Sequence, residues 1–237
     1  MAPRDPFRTS EVASRRSRPA KPPLSRDAIV EEAYRQVIAP DGAGMSLRRV
    51  ALALDTGPAS LYAYVDDLTE LQALVLDRAL DDVTVGAPGD PWRARLDLIL
   101  GSYLRAISAS PALARLAFGA IAVGPNALRI TEAVLEVLAG AGVDRATAAW
   151  AVDLLTMFVS AQAAEHAPTM HAAEPGGHAA EPGGPVAQAL DRASAEAFPH
   201  VYAARGDLLS GSGEERFAWA ADVLIRGILA RAGQAPG

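Results

Sequence analysis

The 237-residue chain contains no cysteine. That excludes disulfide frameworks, cysteine-ligated zinc and thiol nucleophiles together, and it fits a reducing compartment, so the expected location is the cytoplasm. Lysine is nearly missing as well, since Lys21 stands alone among 22 Lys+Arg. With the abundant Ala and Gly, this composition suggests a GC-rich coding sequence and a bacterial setting. The opening MAPRDPFRTSEVASRRSRPAKPP lacks the run of about 7 to 15 apolar residues that a secretory signal needs. Long uncharged apolar runs are missing too. The segment from Ala146 to Ala164 is broken by Asp153, and a charge at a bilayer centre costs roughly 2.5–3.5 kcal/mol, so it is read as a buried helix of a soluble protein. Enzyme motifs are absent: there is no H-E-x-x-H, P-loop, G-x-G-x-x-G or G-x-S-x-G, which predicts no enzyme activity, no cofactor and no metal.

What is present is a large apolar content, 50% against 21% charged residues, enough for one or two globular domains and too much for wholesale disorder. The net charge of -6 hides an asymmetry. Residues 1–65 hold 10 Lys+Arg against 7 Asp+Glu, whereas residues 66–237 hold 12 against 21. Seven of the bases fall within the first 26 residues (Arg4, Arg8, Arg15, Arg16, Arg18, Lys21, Arg26). A basic arm on an acidic body is the pattern of a polyanion-seeking segment, although a solvated tail without a partner has the same composition.

Apolar residues recur at helical spacing throughout, without strand-like alternation, so the chain is predicted to be all-α. Ser25 caps a first helix carrying Ile29, Val30, Ala33, Tyr34, Val37 and Ile38, stopped at Pro40 and Gly42. Ser46 opens a short second helix with Leu47, Val50, Ala51 and Leu54 on one face. Asp55-Thr56-Gly57 breaks it, and Asp55 takes the turn position that requires a left-handed backbone. Pro58 then starts a third helix reaching about Val65. Asp67 and Glu70 have capping-box spacing and open a longer helix through Leu71, Leu74, Val75, Leu80 and Val83.

A linker at Gly86-Ala87-Pro88-Gly89 places a domain boundary, after which Asp90 as N-cap and Pro91 restart the helical pattern. Ser110-Pro111, Asn126 and Asp144 mark further starts. Arg145–His166 is nearly apolar all round, so it should be buried on more than one side. Between His166 and Pro185 the heptapeptide HAAEPGG occurs twice in tandem, which reads as a flexible loop at 167–185. Its histidines and glutamates have the spacing of a duplicated linker rather than of a metal site. Val186 to Phe198 and Ser212 to Ala232 read as the two last helices, the latter with Ser212 and Glu215 in S-x-x-E spacing.

The second and third helices make a compact hairpin able to present side chains to a DNA major groove, with Ala51 at the close approach and Val50, Leu54 and Leu61 as the wedge. Any helical hairpin shares that outline. The order of residues is more specific: Ser25 to Asp77, with S-L-R-R-V-A, L-Y-A-Y-V and the following E-L, resembles the N-terminal DNA-binding domain of the TetR family of transcriptional regulators. The segments WAVDLLTMFVSAQAAEHA and GEERFAWAADVLIRGIL resemble that family's C-terminal domain.

The resemblance implies a basic arm (1–22), a three-helix helix-turn-helix domain (23–66), a connecting helix (67–85) and a C-terminal helical-bundle domain for effector binding and dimerisation (90–237). It implies a homodimer, joined through the 145–166 and 212–232 helices, that represses from a palindromic double-stranded operator and is released by a small-molecule effector. The same pattern assigns Arg48, Arg49, Pro58, Ala59, Ser60, Tyr62, Ala63 and Tyr64 to DNA. Arginine bonds guanine edges, alanine packs on thymine methyls, and tyrosine hydroxyls anchor phosphates. Arg49 reads equally as a solvated helix end. Tyr103, Arg105, Phe118, Trp150, Met157 and Phe158 are the effector-binding candidates, against the simpler reading that they are core. One position departs from the family pattern, because Leu68, behind Asp66 and Asp67, stands where a basic residue meets the DNA backbone. An alternative follows: a helical small-molecule-binding protein of this fold that has lost DNA binding.

Overall fold

In a computed structural model the protein is described over residues 24–40, 44–120, 122–166 and 184–232. The basic arm and the duplicated HAAEPGG loop therefore lie outside the described residues. Eleven helices are described, α1 (Arg26–Ile38), α2 (Leu47–Ala53), α3 (Pro58–Leu61), α4 (Leu68–Leu80), α5 (Trp92–Ile107), α6 (Pro111–Gly119), α7 (Pro125–Gly140), α8 (Arg145–His166), α9 (Pro185–Asp191), α10 (Pro199–Leu208) and α11 (Gly213–Arg231). There is no strand among the described residues.

Capping explains most of the boundaries. The hydroxyls of Ser25, Ser46, Ser110 and Ser212 each accept a backbone N–H in the first turn that follows, and Glu215 closes the capping box on Ser212. Asp144 does the same for α8 by accepting from Ala146 and Thr147. Three expected starts are different. Pro91, not Asp90, is the N-cap of α5, because the Asp90 carboxylate is already engaged by the Ala87 N–H at 2.8 Å in the preceding turn. The α7 helix begins at Pro125, one residue before Asn126, and its free amides are capped by Asp77 of α4. Finally, Val186–Phe198 is not one helix: α9 ends at Asp191, and Pro199 starts a separate α10. Proline disfavours helical backbone at Phe198, whose φ is -138°.

Two apolar cores divide the molecule. Ile29, Ala33, Val37, Val50, Ala51, Leu61, Val65, Leu71, Val75 and Ala79 form the N-terminal one. Leu76, Leu80 and Val83, from another face of α4 and the residues after it, join α5, α6, α7, α8 and α11 in the larger one. The linker at 86–89 does not divide these cores: Leu76, Leu80 and Val83 before it lie in the larger one, and Leu113 of α6 after it is buried in the N-terminal one while Ala114 and Ala117 are buried in the larger. The Ser110 hydroxyl fixes this crossing by donating to the Val37 carbonyl at 2.7 Å. Within the chain α8 buries one face only, through Ala148, Ala151, Leu155, Val159 and Ala163. Trp150 and Met157 stay 68% and 58% exposed, so the expectation of burial on several sides is not met inside one chain.

Candidate nucleic-acid interface and ligand cavity

The turn after α2 is built by backbone hydrogen bonding. Thr56 N–H donates to the Ala51 carbonyl at 2.9 Å and Asp55 N–H to that of Leu52 at 3.0 Å, the paired bonds of a Schellman end. Asp55 takes the left-handed position between them at φ 50°. Gly57 and Pro58 restart the chain as α3, a single α-helical turn rather than the run to Val65 that periodicity predicts. The chain still curls onward, because Val65 N–H donates to the Leu61 carbonyl at 3.0 Å. Leu61 and Val65 are thereby both fully buried against Val50 and Ala51.

This anchoring turns the remaining residues outward. Pro58, Ala59, Ser60, Tyr62, Ala63 and Tyr64 are all exposed, Tyr62 at 55% and Tyr64 at 37%. Arg48 is exposed on α2 beside them. Arg49 is placed differently: its guanidinium donates to the Gly44 carbonyl at 2.6 Å and helps hold the turn before α2. At the start of α4, the Asp67 carboxylate caps the helix by accepting from Glu70 N–H at 2.8 Å, and Glu70 is paired with Arg26. Leu68 is partly exposed at the same edge. Of the acids there, Asp67 and Glu70 are thus tied up locally, and Asp66 remains exposed.

The six effector candidates do not form one site. Tyr103, Phe118 and Met157 line a cavity of about 500 Å³ between α5, α6, α7 and α8, together with Ile130, Thr131 and Thr156. Tyr103 is buried there, and burial raises its phenol above the ordinary value, partly offset by its hydrogen bond with Ser160. Arg105 lies elsewhere, along a groove between α5 and α11. The Phe158 ring is stacked on Phe217 with centroids 5.2 Å apart, a core contact between α8 and α11. Trp150 points to the surface. Helical spacing identified residues on these helices but not the direction of each. Sequence reasoning also missed the cavity's hydroxyl groups, Thr131, Thr156 and Ser160, for which no motif exists.

A helix-turn-helix head joined to an all-helical bundle defines a class of two-domain DNA-binding folds. Residues 85–232 match the family described as Tetracyclin repressor-like, C-terminal domain, and the chain belongs to the TetR family. It is 35% identical over 132 residues to the HTH-type transcriptional repressor DrrR1 of Streptomyces coeruleorubidus, covering 54% of this chain and 48% of that one. An HTH-type transcriptional regulator of Saccharopolyspora erythraea is 33% identical over 128 residues, 53% of this chain and 54% of that one. The chain thus spans about half the length of the curated relatives it matches. Among solved structures, the Streptomyces coelicolor TetR family protein ActR in complex with actinorhodin is 33% identical, with a TM-score of 0.77 over 91% of this chain and all of that one. No helix among the described residues is long and apolar enough to cross a membrane.

Proposed function

We propose that the chain is a transcriptional repressor that binds a palindromic DNA operator as a homodimer and is released by a small molecule held in the α5–α8 cavity. The observation that carries this reading is the outward ridge from Pro58 to Tyr64, locked from behind by the buried Leu61 and Val65. Ala59 and Ala63 suit thymine methyls, Ser60 suits either partner of a base pair, and Tyr62 and Tyr64 reach phosphates. Arg48 supplies a charge-assisted contact from α2. One such short reading element covers few base pairs, so two half-sites about a helical turn apart, or a multiple of it, are needed for specificity.

Trp150 and Met157 on α8, with Trp219 and Val223 on α11, support a two-fold interface, because all four are exposed in the single chain. At about 25 cal/mol per Å² of apolar surface, covering such side chains drives association. The cavity favours a largely apolar effector with a hydrogen-bonding group for Tyr103 or Ser160. ActR, 33% identical to this chain, is solved in complex with actinorhodin, which makes that molecule the first to try. Release follows if the effector binds better to the dimer whose heads are wrongly spaced for the operator.

The deciding experiment is operator selection from random-sequence DNA with the purified full chain, read by mobility shift at several salt concentrations. Enrichment of a palindrome supports the repressor. A protein that enriches nothing at any salt is instead the ligand-binding protein without DNA activity that Leu68 and Asp66 suggested.

A further inference from the structure

The groove between α5 and α11 is larger than the α5–α8 cavity, at about 810 Å³, and lies on another side of the bundle. Its shape follows from one pin. At the end formed by the start of α5, Arg93 donates to Asp222 of α11 at 2.8 Å and to Asp97 at 3.0 Å, while Arg226 pairs with Asp222 at 2.7 Å. Two cations and two anions are mutually satisfied there. The floor is apolar, with Leu100, Leu104, Ala221 and Phe217, whose ring already stacks on Phe158. Gly101 and Ala218 keep the walls low, and a Cβ added at Gly101 would meet only the Arg105 guanidinium, at 3.6 Å.

The other end is charged but not paired. Arg105 and Glu214 both line it, and neither has an ion pair or hydrogen bond among the described residues. The Glu214 charge sits in the first turn of α11, where the helix dipole favours an acid. Arg105 is at the opposite lip, on the last turn of α5. An apolar floor extending an aromatic stack, with an unpaired guanidinium at its mouth, has the chemistry of a site for a ring system bearing one acidic group.

We propose that the α5–α11 groove is a second small-molecule site, separate from the α5–α8 cavity, that binds aromatic monoacids with the rings against Phe217 and the acid on Arg105. Glu214 makes the site selective, because a second negative charge on the ligand would face it. The groove also differs in direction from the proposed dimer surface, since Ala218 and Trp219 are successive residues of α11 and point about 100° apart. A ligand in the groove therefore leaves that surface free.

The test uses 8-anilinonaphthalene-1-sulfonate, two ring systems and one acid, titrated against the full chain by fluorescence. Arg105→Gln should weaken saturable binding about tenfold, the scale of one charge-assisted hydrogen bond, and Glu214→Gln should strengthen it. Ala218→Trp, at an exposed position, should block the site by bulk. Thr131→Trp, which fills the α5–α8 cavity, should leave it unchanged. Each variant is checked for wild-type circular dichroism and melting temperature. Equal affinity in Arg105→Gln and Ala218→Trp, loss of binding in Thr131→Trp, or no saturable binding to the wild type overturns the proposal. None of these readings involves DNA, so this inference and the repressor reading fail separately.

Discussion

The carboxylate of Asp77, on α4, accepts the backbone N–H of Asn126 at 3.0 Å and that of Ala127 at 3.1 Å, so the helix leading from the helix-turn-helix caps a helix that lines the α5–α8 cavity. Asn126 answers by donating its side-chain amide to the Asp77 carbonyl at 3.0 Å. The approach is close enough to require glycine at 124, where an added Cβ would lie 2.2 Å from the Asp77 Cγ. One turn along α7, Arg129 donates to the carbonyls of Leu80 and Val83, closing the C-terminal end of α4.

Asp77→Ala should therefore cost about 1–2 kcal/mol, the usual worth of a helix N-cap, measured as a shift in the urea midpoint. Gly124→Ala should destabilise as well, but by clash rather than by a lost bond. In the double variant the clashing carboxylate is gone, so the two losses should fall short of adding. Strict additivity would show that the Cβ at 124 is accommodated some other way.

Tyr62 and Tyr64 are exposed and outside both cores, which separates the DNA role proposed for them from stability. Tyr62→Phe and Tyr64→Phe should each lower operator affinity while leaving the melting temperature within a degree or so. Arg48→Ala should reduce the slope of log affinity against log salt by about one if it meets a phosphate. If Arg48 instead reads a guanine, the loss is roughly 1–3 kcal/mol and confined to one operator position. Removing residues 1–22 should lower affinity and flatten the salt slope further. An unchanged slope would assign the basic arm no part in binding.

Most helix starts were legible because they depend on local signals. Ser25, Ser46, Ser110 and Ser212 cap the first turns that follow them, and Asp55 takes the left-handed turn its position requires. What stayed hidden depends on contacts distant in sequence. Asp77 caps α7 across 49 residues, so no local rule could move that helix start from Asn126 to Pro125. Leu113 reads as one more apolar residue of α6, and nothing in its neighbours tells that it crosses into the N-terminal core. The six ligand candidates divide between places for a related reason: Tyr103 and Arg105 are two residues apart on α5, and that offset alone sends one into the cavity and the other into the groove. Pro199 is a local signal, and it marks the start of α10 where the apolar pattern alone runs straight past.

The four exposed side chains on α8 and α11 predict the oligomeric state. Trp219→Glu combined with Trp150→Glu places a charge on each helix of the proposed interface without entering either core or the lining of the α5–α8 cavity. By sedimentation the variant should run as a monomer of unchanged helicity, and its operator binding should fall to the level of nonspecific DNA. A doubly substituted protein that stays dimeric would move the interface away from these faces.

The Arg93–Asp222 pin beside the groove should register in acid. Arg93 donates to the Asp222 carboxylate and, with Arg226 nearby, holds its carboxyl below the ordinary aspartate range. A carboxyl whose pKa is lower folded than unfolded adds stability that is fully present above the unfolded value and is lost as pH falls through the folded one. The difference in urea midpoint between wild type and Asp222→Asn should therefore be flat from neutral pH down to about pH 4 and shrink steadily below it. Added salt should reduce the plateau, because the pair is partly open to solvent. A difference that persists undiminished at pH 2, or that changes instead near neutrality, would mean that Asp222 stabilises the α5–α11 contact by shape rather than by charge.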